Sequence, residues 1–244
     1  LVSLTADNLK KQKIKSGSRV ALLGANSSQY CILIFALLRI GSVVCPINNR
    51  LPEKAVLAAL IDLNCTALIS IDSVKRLFKV RKIKSFPAEE LIPQNPNQQA
   101  SLDKPLVTLN SPAAIMFTSG TGASPKAALL SYGNFYFNAL GANERIPFSP
   151  GCQWLLTLPL YHVGGWGILF RAIISGGGIV IPDKNESIPD AINRNEVTHL
   201  SLVPTHLYRL LQNGVSKIKN TAPVVLVGGA AISKNILKKC RLAN

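Results

Sequence analysis

The sequence predicts an α/β fold of mostly parallel sheets flanked by helices. Two observations carry this. Short apolar runs of four or five residues alternate, along most of the chain, with segments of helical period. And with 48% hydrophobic and 16% charged residues over 244 positions, the chain can bury a sizeable core.

Taken in order, residues 19–23 read as a strand and 28–40 as a helix. Residues 42–46 are a second strand, and 52–63 a helix opened by Pro52, whose fixed φ suits a first turn. A third strand covers 67–71. Residues 86–105 are rich in Pro, Asn and Gln without apolar periodicity, which predicts a loop or linker. Beyond it come a strand at 113–117, a Gly-rich loop, a helix at 132–140, a strand at 154–158 and a helix at 165–175. The pattern continues with strands at 178–181, 199–202 and 224–227, helices at 188–195 and 204–212, and an amphipathic helix at 233–242 carrying Ile236, Leu237 and Cys240 on one side. The expected division is a first α/β subdomain at 1–105, with its linker at 86–105, and a second at 106–244.

Composition narrows the class. The longest apolar stretches, 30–45 and 166–181, are broken by Arg39, Arg171 and glycines, and fall short of the about 20 residues a membrane-crossing helix needs. Nothing at the N-terminus has the charged start, apolar centre and small-residue end of a signal peptide, so the expected location is cytoplasmic, without membrane insertion. Five widely spaced cysteines, with no Cys-x-x-Cys, favour neither a disulfide framework nor a zinc site.

The net charge of +15 sets up a rival reading, a basic nucleic-acid-binding module. Basic clusters lie at residues 10–15, 75–84 and 234–241. The first and third read as solvated faces of amphipathic helices, and the second as a helix or edge strand with a basic face. No helix-turn-helix, zinc-finger or RNA-binding aromatic motif accompanies them. Excess positive charge also attracts any polyanion, nucleotides included.

The most informative segment is Met116-Phe117-Thr118-Ser119-Gly120-Thr121-Gly122-Ala123-Ser124-Pro125-Lys126, directly behind an apolar strand. Small residues let the backbone turn its N–H groups toward an anion. Thr118, Ser119 and Thr121 add hydroxyl donors, and Lys126 a full positive charge. This is a phosphate cradle but not a Walker A loop: four spacers after Gly120 comes Pro125-Lys126-Ala127, not Gly-Lys-Ser/Thr.

The segment resembles the phosphate-binding motif of the adenylate-forming superfamily, which reads roughly Thr-Ser-Gly-Thr-Thr-Gly-x-Pro-Lys-Gly. It departs at Gly122, Ala123 and Ala127, where Thr, Gly and Gly are usual. Three further segments follow the superfamily's order. Residues 17–52, with Asn26-Ser27-Ser28 and Pro46-Ile47-Asn48-Asn49-Arg50, resemble its opening α/β units. Leu158-Pro159-Leu160-Tyr161-His162-Val163-Gly164-Gly165 resembles its aromatic-His motif at the acyl pocket. Val224-Val225-Leu226-Val227-Gly228-Gly229-Ala230 resembles the strand and glycine turn beside nucleotide and acyl group.

This resemblance implies that the chain is part of the large N-terminal domain of an adenylate-forming enzyme. Such an enzyme uses ATP and Mg²⁺ to activate a carboxylic acid as its acyl-adenylate, then transfers the acyl group to coenzyme A. It implies that Thr118, Ser119, Gly120, Thr121, Gly122 and Lys126 hold phosphates, with Thr121 near the metal. Tyr161, His162, Gly164 and Gly165 border the acid, His162 and Lys126 acting in catalysis. Gly228, Gly229 and Ala230 line the adenine and acyl walls. His199 and His206 are read as structural.

Segments 158–177 and 201–211 look most like the 2-succinylbenzoate–CoA ligase branch of menaquinone biosynthesis. A medium- or long-chain fatty-acyl-CoA ligase is the alternative, and a nucleotide-binding module without catalysis the non-enzyme reading. The superfamily continues with a Tyr-Gly-x-Thr-Glu motif and a small C-terminal domain that carries the adenylation lysine. These are absent from the sequence, so residues 1–244 alone are expected to be inactive.

Overall fold

The computed structural model describes residues 1–71, 83–97, 99–100, 107–118, 126–213 and 224–242. The chain divides into two compact units: residues 1–137 with 160–163, and residues 138–159 with 164–244. The boundary expected after residue 105 falls inside the first unit, because the strands on either side of it join one sheet.

The first unit begins with helix α1 (Val2–Lys11), followed by β1 (Arg19–Leu23), α2 (Ser28–Arg39), β2 (Val43–Ile47), α3 (Glu53–Asp62) and β3 (Ala67–Ser70). Then come β4 (Lys84–Pro87), the four-residue helix α4 (Ala88–Leu91), β5 (Pro112–Thr118) and β6 (Lys126–Ser131). The sheet order is β4-β3-β1-β2-β5-β6. Its first five strands run parallel, and β6 returns antiparallel to β5.

Helices force this parallel arrangement, since each crossover must bury an apolar face on the sheet. On one face Val56, Ala59, Leu60 and Leu63 of the α3 segment pack with Ala21, Leu23, Val43, Cys45, Ile47 and Leu68. Helix α2 starts where the Ser27 side chain accepts the Tyr30 N–H at 3.2 Å, an N-cap that satisfies one otherwise orphaned donor.

Two elements here differ from the sequence reading. The expected loop at 86–105 begins as an edge strand and a short helix, because β3 offers its free side to Lys84–Pro87 in parallel register. And Lys126–Ser131, expected to lead straight into a helix, forms β6, paired with β5 from Pro112↔Ser131 to Thr118↔Lys126. Of the basic run at 75–84, only Ile83 and Lys84 are among the described residues.

Helix α5 (Tyr132–Arg145) spans the division between the units. The second unit holds β7 (Gln153–Leu155), α6 (Val163–Ser175, its first residue counted with the first unit), β8 (Gly178–Val180) and α7 (Ile188–Asn195). After these come β9 (His199–Leu202), α8 (Pro204–Asn213), β10 (Val224–Val227) and α9 (Lys234–Leu242). Its four strands lie in the order β10-β9-β7-β8, all parallel. Leu155, Val180, Ala191, Ile192, Leu200, Leu202 and Leu207 form its core.

The strand expected at 154–158 stops at Leu155. Beyond it the Thr157 hydroxyl donates to the Ser201 carbonyl, and Pro159 has no N–H to extend a ladder. Among the described residues, no helix is long and apolar enough to cross a membrane.

Candidate nucleotide and acyl site

The residues singled out from the sequence fall into three local groups. The first is the mouth of the β5–β6 hairpin. Thr118 ends β5, Lys126 opens β6, and the two are directly paired, with the Thr118 hydroxyl donating to the Lys126 carbonyl at 3.2 Å. Both are exposed. Ser119, Gly120, Thr121 and Gly122 lie outside the described residues. Thr118 stands at the C-terminal end of β5, in a sheet of mostly parallel strands whose C-terminal ends are the usual ligand side of α/β folds.

The second group is Tyr161 and His162. The Asn26 side-chain oxygen accepts the backbone N–H of fully buried Leu160 at 2.9 Å, which ties this segment to the loop after β1. Tyr161 is buried and packs against the His162 ring, with 4.6 Å between centroids. His162 itself is at the surface. Desolvation by its neighbours and then the Arg50 charge hold its imidazole below the ordinary range, which favours the uncharged ring. An uncharged ring can donate or accept a hydrogen bond beside a carboxylate.

Gly164 and Gly165 open α6 and have a packing role. A Cβ on buried Gly165 would stand 2.5 Å from the Pro159 carbonyl oxygen, so only glycine lets α6 begin so close to the chain before it. A Cβ on Gly164 would meet only the flexible Leu158 side chain, at 2.8 Å.

The third group is the turn after β10. Gly228 N–H donates to the Leu202 carbonyl at 3.1 Å, extending the β9–β10 pairing by one step. Gly229 then takes φ +87°, which a side chain would resist, and Gly228, Gly229 and Ala230 are all exposed at the strand's C-terminal end. Such a turn presents bare backbone to a flat ligand. Among the described residues, no three His, Cys, Asp or Glu side chains come together as a metal site.

Arg171, which breaks the apolar stretch at 166–181, has a distinct environment. It is the sole charged residue of α6, VGGWGILFRAIIS, and is half-buried. Its Nε is buried with no hydrogen-bond partner among the described residues, and its guanidinium carbon lies 5.2 Å from the centroid of the Trp154 ring. Burial lowers its pKa from the usual value, the sign of a cation short of compensation. The signal in sequence was one arginine inside a helix otherwise apolar or glycine up to its last residue, Ser175.

The whole chain, residues 1–244, matches the family model described as AMP-binding enzyme. The chain belongs to the AMP-binding enzyme family. Among curated members, the 2-succinylbenzoate–CoA ligase of Bacillus cytotoxicus is 28% identical over 237 residues, which is 96% of this chain and 48% of that protein. That of Listeria innocua is 27% identical over 242 residues, covering 98% of this chain and 50% of the relative. The chain thus spans about half the length of the curated relatives it matches.

Solved AMP-binding relatives share the fold. o-Succinylbenzoate CoA synthetase (MenE) from Bacillus subtilis, in complex with ATP and magnesium ion, matches with a TM-score of 0.85 at 26% identity, over 99% of this chain and 51% of that one. The same synthetase in complex with the acyl-adenylate intermediate OSB-AMP matches with 0.85 at 26%, over 100% and 63%. Wild-type E. coli MenE, with a bound phenylether-linked analogue of OSB-AMS, matches with 0.83 at 30%, over 99% and 50%. The described residues are the mixed α/β architecture of the N-terminal half of such enzymes.

Proposed function

We propose that this chain is the nucleotide- and acid-binding half of a 2-succinylbenzoate–CoA ligase, which activates its acid through an acyl-adenylate. The observation that supports this most is the agreement, across almost the whole chain, with ligases of that name and with a relative holding the acyl-adenylate itself.

A carboxylate is a poor acyl donor because its oxygen does not leave. In the first half-reaction a carboxylate oxygen attacks the ATP α-phosphorus, the α–β phosphoanhydride bond breaks, and pyrophosphate departs. In the second, the coenzyme A sulfur attacks the acyl carbon and AMP leaves with the bonding electron pair. Both steps depend on positioning and charge neutralisation. Lys126 supplies positive charge to the phosphates, with Thr118, Ser119, Gly120, Thr121 and Gly122 as hydroxyl and backbone donors. His162, held beside Tyr161, orients the reacting carboxylate by a hydrogen bond. Gly228, Gly229 and Ala230 lie along the adenine. Mg²⁺ carried with ATP adds positive charge at the phosphates when bound.

Arg171 favours a dicarboxylate over a fatty acid. A half-buried guanidinium whose Nε has no hydrogen-bond partner among the described residues is costly beside a hydrocarbon tail, and is well matched to a second carboxylate that does not react. The test is acid-dependent pyrophosphate release, in the protein over its full encoded length, with ATP, Mg²⁺ and coenzyme A. 2-Succinylbenzoate is expected to exceed octanoate and palmitate. A preference for either fatty acid moves the assignment to a fatty-acyl-CoA ligase, and tight RNA binding without acid-dependent turnover moves it to a basic binding module.

A further inference from the structure

The Arg171 side chain does not stand alone, and what holds it is unusually well fixed. Trp154 is fully buried on β7. Its indole Nε1–H donates to the Ser201 hydroxyl at 3.0 Å. The His199 ring lies 5.0 Å away at an interplanar angle of 30°, and the Phe148 edge meets the indole at 5.2 Å and 76°. His199 is itself held at both nitrogens, Nε2 to the Pro147 carbonyl at 3.1 Å and Nδ1 to the Thr198 hydroxyl at 2.8 Å. The indole therefore cannot rotate or slide without breaking several contacts, and the Arg171 guanidinium sits against it, 5.2 Å from the ring centroid.

We infer that Trp154 is a positioning residue for substrate selection: its locked indole face holds the Arg171 guanidinium in place to receive the non-reacting carboxylate of a dicarboxylic acid. This rests on the reading of Arg171 given above. The physics is direct. An arginine side chain has four rotatable bonds, and fixing it only when substrate arrives would cost binding free energy. An aromatic face attracts the cation in advance, most strongly for Trp and more weakly for Phe, and leaves the guanidinium edge free to form hydrogen bonds. Ser201 and His199 act one step further back, by fixing the ring.

The test compares Trp154→Phe, Trp154→Leu and Arg171→Ala in the protein over its full encoded length. Each is assayed for kcat and KM with 2-succinylbenzoate, and with 4-oxo-4-phenylbutanoate, which has the same skeleton without the second carboxylate. The KM for 2-succinylbenzoate is expected to rise in the order Trp, Phe, Leu, by roughly ten-fold at Leu, which is the scale of a desolvated cation–aromatic contact. The KM for the monocarboxylate and for ATP should stay near wild type. Phe, the milder change, keeps the series readable if the Leu variant fails to fold. Equal losses with both acids would make Trp154 a packing residue and overturn the inference, as would an unchanged KM for 2-succinylbenzoate. The two readings fail separately. If Arg171→Ala keeps the dicarboxylate preference, Arg171 was misassigned. If Arg171→Ala abolishes it while the Trp154 variants retain it, only the positioning role of Trp154 falls.

Discussion

Asn26, in the loop after β1, accepts the backbone N–H of Leu160, 134 residues further along the chain, at 2.9 Å. This bond anchors the segment carrying Tyr161 and His162 to the C-terminal end of a central strand, where side chains are best held in place. Replacing Asn26 by Ala removes an acceptor from a buried amide. A loss of about 1–3 kcal/mol in unfolding free energy is expected, along with a raised KM for the acid. Asn26→Asp keeps an acceptor oxygen and should recover most of both. Denaturant titration and steady-state kinetics on the two variants check this, and identical behaviour of Ala and wild type would contradict it.

Lys126 opens β6 opposite Thr118, so its backbone is fixed by the sheet while its side chain is exposed. Lys126→Ala is expected to weaken ATP binding by roughly 1.5–3 kcal/mol, the scale of a hydrogen bond to a charged group, with the fold intact. Calorimetric titration with ATP measures it. Unchanged affinity would remove the hairpin mouth from the nucleotide site.

His199 gives a pH dependence of stability. It is almost fully buried, and burial lowers its pKa, with the Pro147 carbonyl opposing in part. The unfolded chain therefore takes up a proton at a higher pH than the folded one. Stability is unaffected well above the unfolded pKa, about 6.5, and falls as the pH drops through that value toward the folded one. His162 shifts in the same direction but is exposed, so solvent screens its contribution. Urea midpoints measured from pH 7.5 to 5 should fall for wild type and less steeply for His199→Gln. Parallel curves would show that His199 does not carry the effect.

Much of this architecture was legible because the strands are short apolar runs between helical segments. His199–Leu202 and Val224–Val227 were located to the residue. Lys126–Ser131 was not, since KAALLS has no β-branched residue and its strand character comes only from pairing with β5. Lys84–Pro87 hid in Pro-rich sequence for the same reason, being a strand only because β3 has a free edge. At the site, the aromatic-His motif and the glycine turn were visible as residue patterns. The anchor on Asn26 and the Trp154–Arg171 contact were not, because each joins residues far apart in sequence through geometry alone.

Activation by adenylation requires an acyl-adenylate to accumulate when coenzyme A is withheld. Incubating the protein over its full encoded length with ATP, Mg²⁺ and 2-succinylbenzoate, without coenzyme A, and resolving the products by mass spectrometry tests it most directly. The expected result is one 2-succinylbenzoyl-AMP and one pyrophosphate per active site, converted to the thioester and AMP once coenzyme A is added. Release of ADP and phosphate, or AMP formation independent of the acid, would contradict it.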